Sequence, residues 1–218
     1  MSIIAVDIET GGRATMPSDR DARASEMVIR TLYEISGEYN LGLKHQIHRI
    51  LQLGLERFDL NIGILSKIEG DTYTVVQQVS PPHVALQNGT AFPLGRTYCS
   101  ITMAANGPVG FEHVSTSSIS SHPAYKDFGL ESYVGAPVQV KHKPYGTLNF
   151  SSPEPKPRAF SAVDIDALKL MAAWVGSELS RRQTEHDLRQ AKEMLEQQSR
   201  EDQLSGLYNR RGLEEMLA

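Results

Sequence analysis

The sequence predicts an α+β fold, a mainly antiparallel sheet with helices at both ends of the chain and loops over one face. Three observations carry that expectation. Residues 19–58 hold two helical segments. Strand signals follow at 61–68 and 72–79 and return at 134–140 and 145–152, with an irregular, loop-rich stretch between the two pairs. Finally, 161–200 is a helical run interrupted only by Gly176.

In chain order, residues 1–18 form an apolar scrap and a Gly/Arg/Pro tail expected to be poorly ordered. Met27, Ile29, Leu32, Tyr33 and Ile35 mark a first amphipathic helix ending near 37–40. A second, at 41–58, carries Ile47, Ile50, Leu51, Leu53 and Leu55. Glu69, Gly70 and Asp71 separate the first two strands as a hairpin turn. Residues 91–94 are a short extended piece, and 95–100 lead into a short helix ending near Asn106 and Gly107. Residues 109–114 read as a strand, 115–121 as a Ser/Thr-rich loop and 123–128 as a helical turn. The later strands are joined by a turn at 141–144. In the last of them Leu148 and Phe150 lie on one face, with Thr147, Asn149 and Ser151 on the other.

The final helix starts on Ser161 and Asp164, a capping-box pattern, with Phe160 and Ile165 placed as a hydrophobic staple. About 40 residues at 1.5 Å each make about 60 Å, longer than packing on one small domain requires. Ile165, Leu168, Ala172, Val175 and Leu179 form one apolar stripe. A second, offset in heptad register, runs through Thr184, Leu188, Ala191 and Leu195. The i,i+4 pairs Glu178–Arg182, Glu185–Arg189 and Glu196–Arg200 support the exposed part.

Composition narrows the class. The 218 residues are 40% hydrophobic and 22% charged, ordinary for a globular chain with a core. A formal net charge of −4 argues against a nucleic-acid binder that works by neutralising phosphates. No stretch reaches the roughly 18 apolar residues of a membrane span, the first residues lack a secretory pattern, and one cysteine permits no intrachain disulfide. A cytoplasmic protein without membrane or nucleic-acid partners is expected.

Several residues have the chemistry of a site. Asp7 and Glu9, spaced as Asp-x-Glu, resemble one element of metal-dependent exonucleases, but no partner aspartates follow in recognisable form. His45 and His48 lie one helical turn apart without a third ligand of matching logic, so no metal site is expected. Cys99 begins a short helix, where aligned N–H groups favour a thiolate, yet free cysteines usually pack. Tyr98, His113, His122, Tyr125 and Tyr133 flank the region where loops cover the sheet, and Asn149 and Ser151 reach it from a strand. Together with Cys99 they would line a pocket for a small polar ligand, or satisfy one another and the loop backbone.

Three runs, taken together, resemble a GAF domain. The first is Phe92-Pro93-Leu94-Gly95-x-Thr97-Tyr98-Cys99 followed by His122-Pro123-x-Tyr125. The second is Gly129-Leu130-Glu131-Ser132-Tyr133-Val134-Gly135-Ala136-Pro137, and the third Tyr145-Gly146-Thr147-Leu148-Asn149-Phe150. Phe160-Ser161-x-x-Asp164 and Met171-x-x-Trp174-Val175-Gly176 extend the likeness over about residues 22–182. The resemblance implies a PAS-like fold and a sensor or dimerisation module that binds a small ligand or only transmits strain. Bilin-attaching members follow their cysteine with histidine, where this chain has Ser100. Members that reduce free methionine sulfoxide use more than one cysteine, and the signature of cyclic-nucleotide binders is not evident. A haem held by His113 or His122 would need a large apolar cavity.

Asp202-Gln203-Leu204-Ser205-Gly206-Leu207-Tyr208-Asn209-Arg210-Arg211 resembles the opening of a GGDEF (diguanylate cyclase) domain, with Ser205 in place of the usual threonine. The resemblance implies a division into a tail (1–18), a GAF sensor (19–182), a coiled-coil signalling helix (183–201) and the start of a GGDEF domain (202–218). Asp202, Leu204, Gly206, Leu207, Asn209, Arg210 and Arg211 would carry the signal onward. It implies a homodimer through the terminal helices and cyclic di-GMP output. Mg and GTP would belong to the output domain, whose catalytic residues are not among these 218; no cofactor is required by the sequence otherwise. The alternatives are a thiol-based redox enzyme or sensor centred on Cys99, and a ligand-free dimerisation module.

Overall fold

A computed structural model describes residues 19–200, with side chains from 25 to 195. The Asp-x-Glu run at residues 7–9 and the GGDEF-like run from Asp202 to Arg211 lie outside these residues. The chain divides into two compact units, one ending at Gly176 and the other beginning at Ser177.

The first unit is built on an antiparallel sheet, as expected, of six strands in the order β3-β2-β1-β6-β5-β4. Its strands are β1 (Ile62–Glu69), β2 (Thr72–Val79), β3 (Ala91–Pro93), β4 (Val109–Phe111), β5 (Ser132–Val140) and β6 (Lys143–Ser152). The helices are α1 (Asp19–Gly37), α2 (Leu43–Phe58), α3 (Cys99–Ala105), α4 (Pro123–Phe128) and α5 (Ala162–Arg200). Residues far apart in sequence meet at the sheet's centre, where Leu65 of β1 sits opposite Leu148 of β6 and Ile62 opposite Ser151.

One face of the sheet lies under α2, whose Ile47, Ile50, Leu51 and Phe58 are buried with Leu65, Leu148 and Phe150. The Phe150 and Phe58 rings meet tilted at 5.0 Å, and Phe58 meets Phe160 edge-on at 6.4 Å. Gly54 makes this possible, because a Cβ there would stand 2.1 Å from the Phe150 ring. The start of α5 forms the expected capping box. Ser161 N donates to Asp164 Oδ2 (2.9 Å), and Asp164 N donates to Ser161 Oγ (3.2 Å). Asp164 Oδ1 also pairs with Arg57 at the end of α2, at 2.9 Å. Further along α5, Ala167, Leu168, Met171, Ala172 and Val175 are buried, and Trp174 Nε1 donates to Ser36 Oγ of α1 (2.8 Å).

Four expectations are corrected. On α1 the buried stripe is Val28, Leu32 and Ile35, while Met27, Ile29 and Tyr33 are 65%, 59% and 81% exposed. The 4-then-3 spacing of the buried three is the one a helix keeps on a single face; Met27, Ile29 and Tyr33 fall off that line. The strand expected at 109–114 stops at Phe111, and Val114 opens a 3-10 turn whose N–H donates to Glu131 O (2.9 Å). The turn expected at 141–144 is only Lys141 and His142, both at positive φ (49° and 60°), with Lys143 already paired to Val140. That is a two-residue turn in the left-handed region, which matches the twist of a hairpin.

Glu178 binds Arg181 (2.7 Å) and Arg182 (3.0 Å). Glu185 pairs with Arg181 rather than Arg189, and Arg189 pairs with Glu193 (2.9 Å). This is the fourth correction: each arginine takes the carboxylate its own rotamer reaches, and two choices lie within one turn. The Glu196–Arg200 pair falls outside the described side chains. Leu188 and Leu195 are 70% and 66% exposed.

Candidate functional site

The other face of the sheet is covered by α3, α4 and the loops around them, and here the polar residues converge. Tyr73, Val75, Tyr98, Cys99, Val114, Ala124 and Tyr133 form one buried cluster. Tyr98 and Cys99 arrive because residues 94–97 make a 3-10 turn, Thr97 Oγ1 donating to Leu94 O (2.8 Å), which feeds directly into α3. Thr147 and Asn149 arrive by the period of two along β6. Tyr133 lies along β5 over Gly135; a Cβ at 135 would stand 2.2 Å from the Tyr133 oxygen.

The Cys99 thiol is the centre of a continuous hydrogen-bond network. Tyr133 Oη donates to Sγ at 3.5 Å and Thr147 Oγ1 donates at 3.1 Å. Thr102 Oγ1 and Tyr133 Oη share a 2.7 Å bond, Asn149 Nδ2 donates to Thr147 Oγ1 (3.1 Å), and Ser66 Oγ lies 2.9 Å from that same hydroxyl. Asn149 Nδ2 also approaches Tyr73 Oη at 3.4 Å. Tyr98 donates outward, to Leu130 O at 2.9 Å. The rings of Tyr98, Phe111 and Tyr133 sit 5.3 to 6.2 Å from one another.

Burial decides the ionisation of this cluster. It pushes the Cys99 thiol up, although Thr147, Tyr133, Thr97 and Tyr73 offer hydrogen bonds that favour the thiolate. Burial likewise raises the Tyr73 and Tyr133 phenols well above the ordinary range. The position at the start of α3 therefore does not make Cys99 an activated nucleophile. Stability follows with a definite sign. Groups whose protons are held more tightly in the fold are stabilising below the unfolded thiol value, about 8.5. That stabilisation is lost as pH rises, because the unfolded chain releases the protons first. The urea midpoint is expected to fall steadily from about pH 8.5 upward, and Tyr133→Phe should flatten the slope. A midpoint that stays level in alkali would contradict this account of the cluster.

The remaining expected residues sit at the margin. His122 is the N-cap of α4, its Nδ1 accepting from Ala124 N (3.1 Å), and its ring lies 5.2 Å from Tyr98. Tyr125 Oη donates to Glu131 Oε1 (3.0 Å), and Ser115 N donates to Glu131 Oε2 (3.0 Å). His113, 47% exposed, reaches Glu131 only at 3.8 Å. Burial opposes ionisation of Glu131, but the Ser115 and Tyr125 donors and the nearby His113 outweigh it and hold the carboxyl below its usual value. Ser151 is buried one pair further along β6, opposite Tyr133, outside the thiol network.

Thus Tyr98, Cys99, Tyr133 and Asn149 come together. His122 and Tyr125 form the rim, while His113 and Ser151 fall away from the centre. Ser66, Tyr73, Thr102, Thr147 and Glu131 were not foreseen. Gly135 was the signal for Tyr133's placement, since a glycine inside a strand marks a close approach. His45 of α2 bonds Glu38 (3.0 Å) and His48 is exposed. Among the described residues there is no group of three or more metal-ligating side chains and no helix long and apolar enough to cross a membrane.

Sheet order, flanking helices and a polar cluster beneath α3 and α4 define an α+β module with one helix-packed and one polar face. The chain belongs to the GAF domain family, whose profile matches residues 43–179; it is a ligand-binding or signalling module of that family. A comparison with curated proteins found no match. Three solved structures have the same fold. Free methionine-R-sulfoxide reductase from Neisseria meningitidis, in complex with its substrate, is 17% identical with a TM-score of 0.59, covering 78% of this chain and 98% of its own. The phycocyanobilin-bound GAF domain of a cyanobacterial phytochrome is 17% identical with a TM-score of 0.59, covering 74% and 97%. The GAF domain of an Acinetobacter phosphoenolpyruvate-protein phosphotransferase is 12% identical with a TM-score of 0.58, covering 78% and 99%. At these identities the likeness establishes the fold alone.

Proposed function

We propose that this GAF domain is the cytoplasmic regulatory module of a diguanylate cyclase, acting as a homodimer through its terminal helices. The observation that carries the reading is the run 202–211, which resembles the opening of a GGDEF domain and follows directly on α5. The exposed Leu188 and Leu195 support it, since apolar residues with no cover on a helix invite a partner helix. In this reading a small polar ligand is sensed at the cluster of Tyr98, Cys99, Tyr133 and Asn149, with His122 and Tyr125 at its rim. The response passes along α5, where the offset between the Leu179 and Thr184 stripes allows two helix registers. Mg and GTP act only at the output domain. A burst of thiol chemistry at Cys99 is disfavoured by its burial and raised pKa.

The test uses the full-length protein with cyclic di-GMP production as readout. One residue inserted at Thr184 should abolish regulation, and a seven-residue insertion, which restores the heptad face, should largely spare it. Equal effects from both insertions, or a gene that does not continue into a Gly-Gly-(Asp/Glu)-Glu-Phe hairpin, would sink the reading.

A further inference from the structure

The segment that covers the polar cluster, from Glu112 to Glu131, is anchored at its ends, where Lys156 N donates to Glu112 O (2.8 Å) and Tyr98 Oη to Leu130 O (2.9 Å), and is held between them mainly through Glu131 and α4. Val114 N donates to Glu131 O (2.9 Å), Glu131 gathers Ser115 and Tyr125, and Arg96 binds Asp127 at 2.8 Å. Phe128 packs edge-on against Phe92 at 5.5 Å. Within this segment α4 has only six residues, too short to hold itself without its cap and its contacts. The cap is a histidine.

Nitrogen is an unusual cap atom, since helix N-caps are most often side-chain oxygens that accept at any physiological pH. At His122 the acceptor is Nδ1, facing Ala124 N–H at 3.1 Å, and an acceptor there requires the neutral tautomer with its proton on Nε2. Protonation places an N–H at Nδ1. Two N–H groups then oppose each other, and the new charge also lies at the positive end of the α4 backbone dipoles. The ring is packed on Tyr98, so it cannot turn away without breaking that contact.

We propose that His122 is a proton-operated latch, so that acidification uncaps α4 and loosens the cover over the Tyr98–Cys99–Tyr133 cluster. Burial lowers the imidazole's pKa, which keeps the latch closed at neutrality. The ionisable groups around it are Tyr98 on its ring, Tyr125, Lys126 and Asp127 on its own helix, Arg96 from the turn before α3, and His113 and Glu131 flanking the segment. His113 meets Glu131 at 3.8 Å and fastens the segment at a separate point. Release therefore depends on His122 and not on histidine charge in general.

Amide hydrogen exchange at residues 123–129, corrected for intrinsic rates, tests the latch at about pH 7 and about pH 5.5, values either side of the ordinary histidine range. Wild type should lose protection about tenfold on acidification, as a lost cap of about 1.4 kcal/mol would give. His122→Asn, whose amide oxygen caps without titrating, should be insensitive to pH, and His113→Asn should behave as wild type or open more readily. Ring nitrogen shifts of His122 should report an unprotonated Nδ1 at neutral pH. A proton found on Nδ1 at neutrality, unchanged wild-type protection, or an equal pH response in His122→Asn would overturn the proposal.

Discussion

Asp164→Ala is expected to cost about 3–5 kcal/mol, the range for removing one partner of a buried ion pair. In this protein the carboxylate has two jobs at once. One oxygen caps α5 through Ser161, and the other neutralises Arg57, whose side chain is 15% exposed. Alanine frays the first turn of α5 and strands the guanidinium in a poorly hydrated place. Asp164→Asn should cost less, because the amide oxygen still accepts from Ser161 while the charge on Arg57 goes unanswered. Thermal unfolding should show the order wild type, asparagine, alanine, the alanine variant melting about 10 °C lower on the scale of a few degrees per kcal/mol. If alanine and asparagine were equally destabilised, the charge alone would matter and the cap would not.

Phe150→Ala carries a similar penalty, about 3–5 kcal/mol, by the transfer and cavity terms of a large buried ring. The fully buried ring lies against Phe58 and the α2 backbone at Gly54. The complementary change is informative. Gly54→Ala improves helix propensity by about 1 kcal/mol but drives its Cβ into the ring, an overpacking cost of about 1–3 kcal/mol. Gly54→Ala should therefore destabilise the wild type and become neutral or stabilising beside Phe150→Leu. Denaturant midpoints of the four proteins in that cycle measure the coupling. Simple additivity would mean that α2 moves aside instead of clashing.

Much of this architecture was legible in the chain. The alternation of Leu148 and Phe150 with Thr147 and Asn149 assigned both faces of β6, and Ser161 with Asp164 marked the start of α5, because period and capping are local properties. What depended on tertiary packing was harder to read. Met27, Ile29 and Tyr33 are apolar too, and it is packing against the rest of the domain that buries the line through Val28, Leu32 and Ile35 instead. At the site, tyrosines and histidines drew attention as chemically able residues. The short hydroxyls Ser66, Thr102 and Thr147 carry no such mark, since such residues are common and only the fold shows that Thr147 reaches the sulfur while Ser66 and Thr102 join it through Thr147 and Tyr133. Nothing in the sequence marks Glu131, although in the fold it gathers Ser115, Tyr125 and His113 from three places in the covering segment.

The adjacency of β1 and β6 has a consequence for biosynthesis. Residues 62–65 find their partners at 148–151, so during translation the first hairpin and α2 are complete long before the strand that buries them exists. From the end of that hairpin at Val79 to the partner residues 148–151 the ribosome adds about 70 residues, and until then the edge of β1 stays unpaired, the situation in which nascent chains attract chaperones or pair wrongly. The two halves of the sheet, β3-β2-β1 and β5-β4, can join only once β6 is available to lie between them, a non-local pairing of the kind that slows folding.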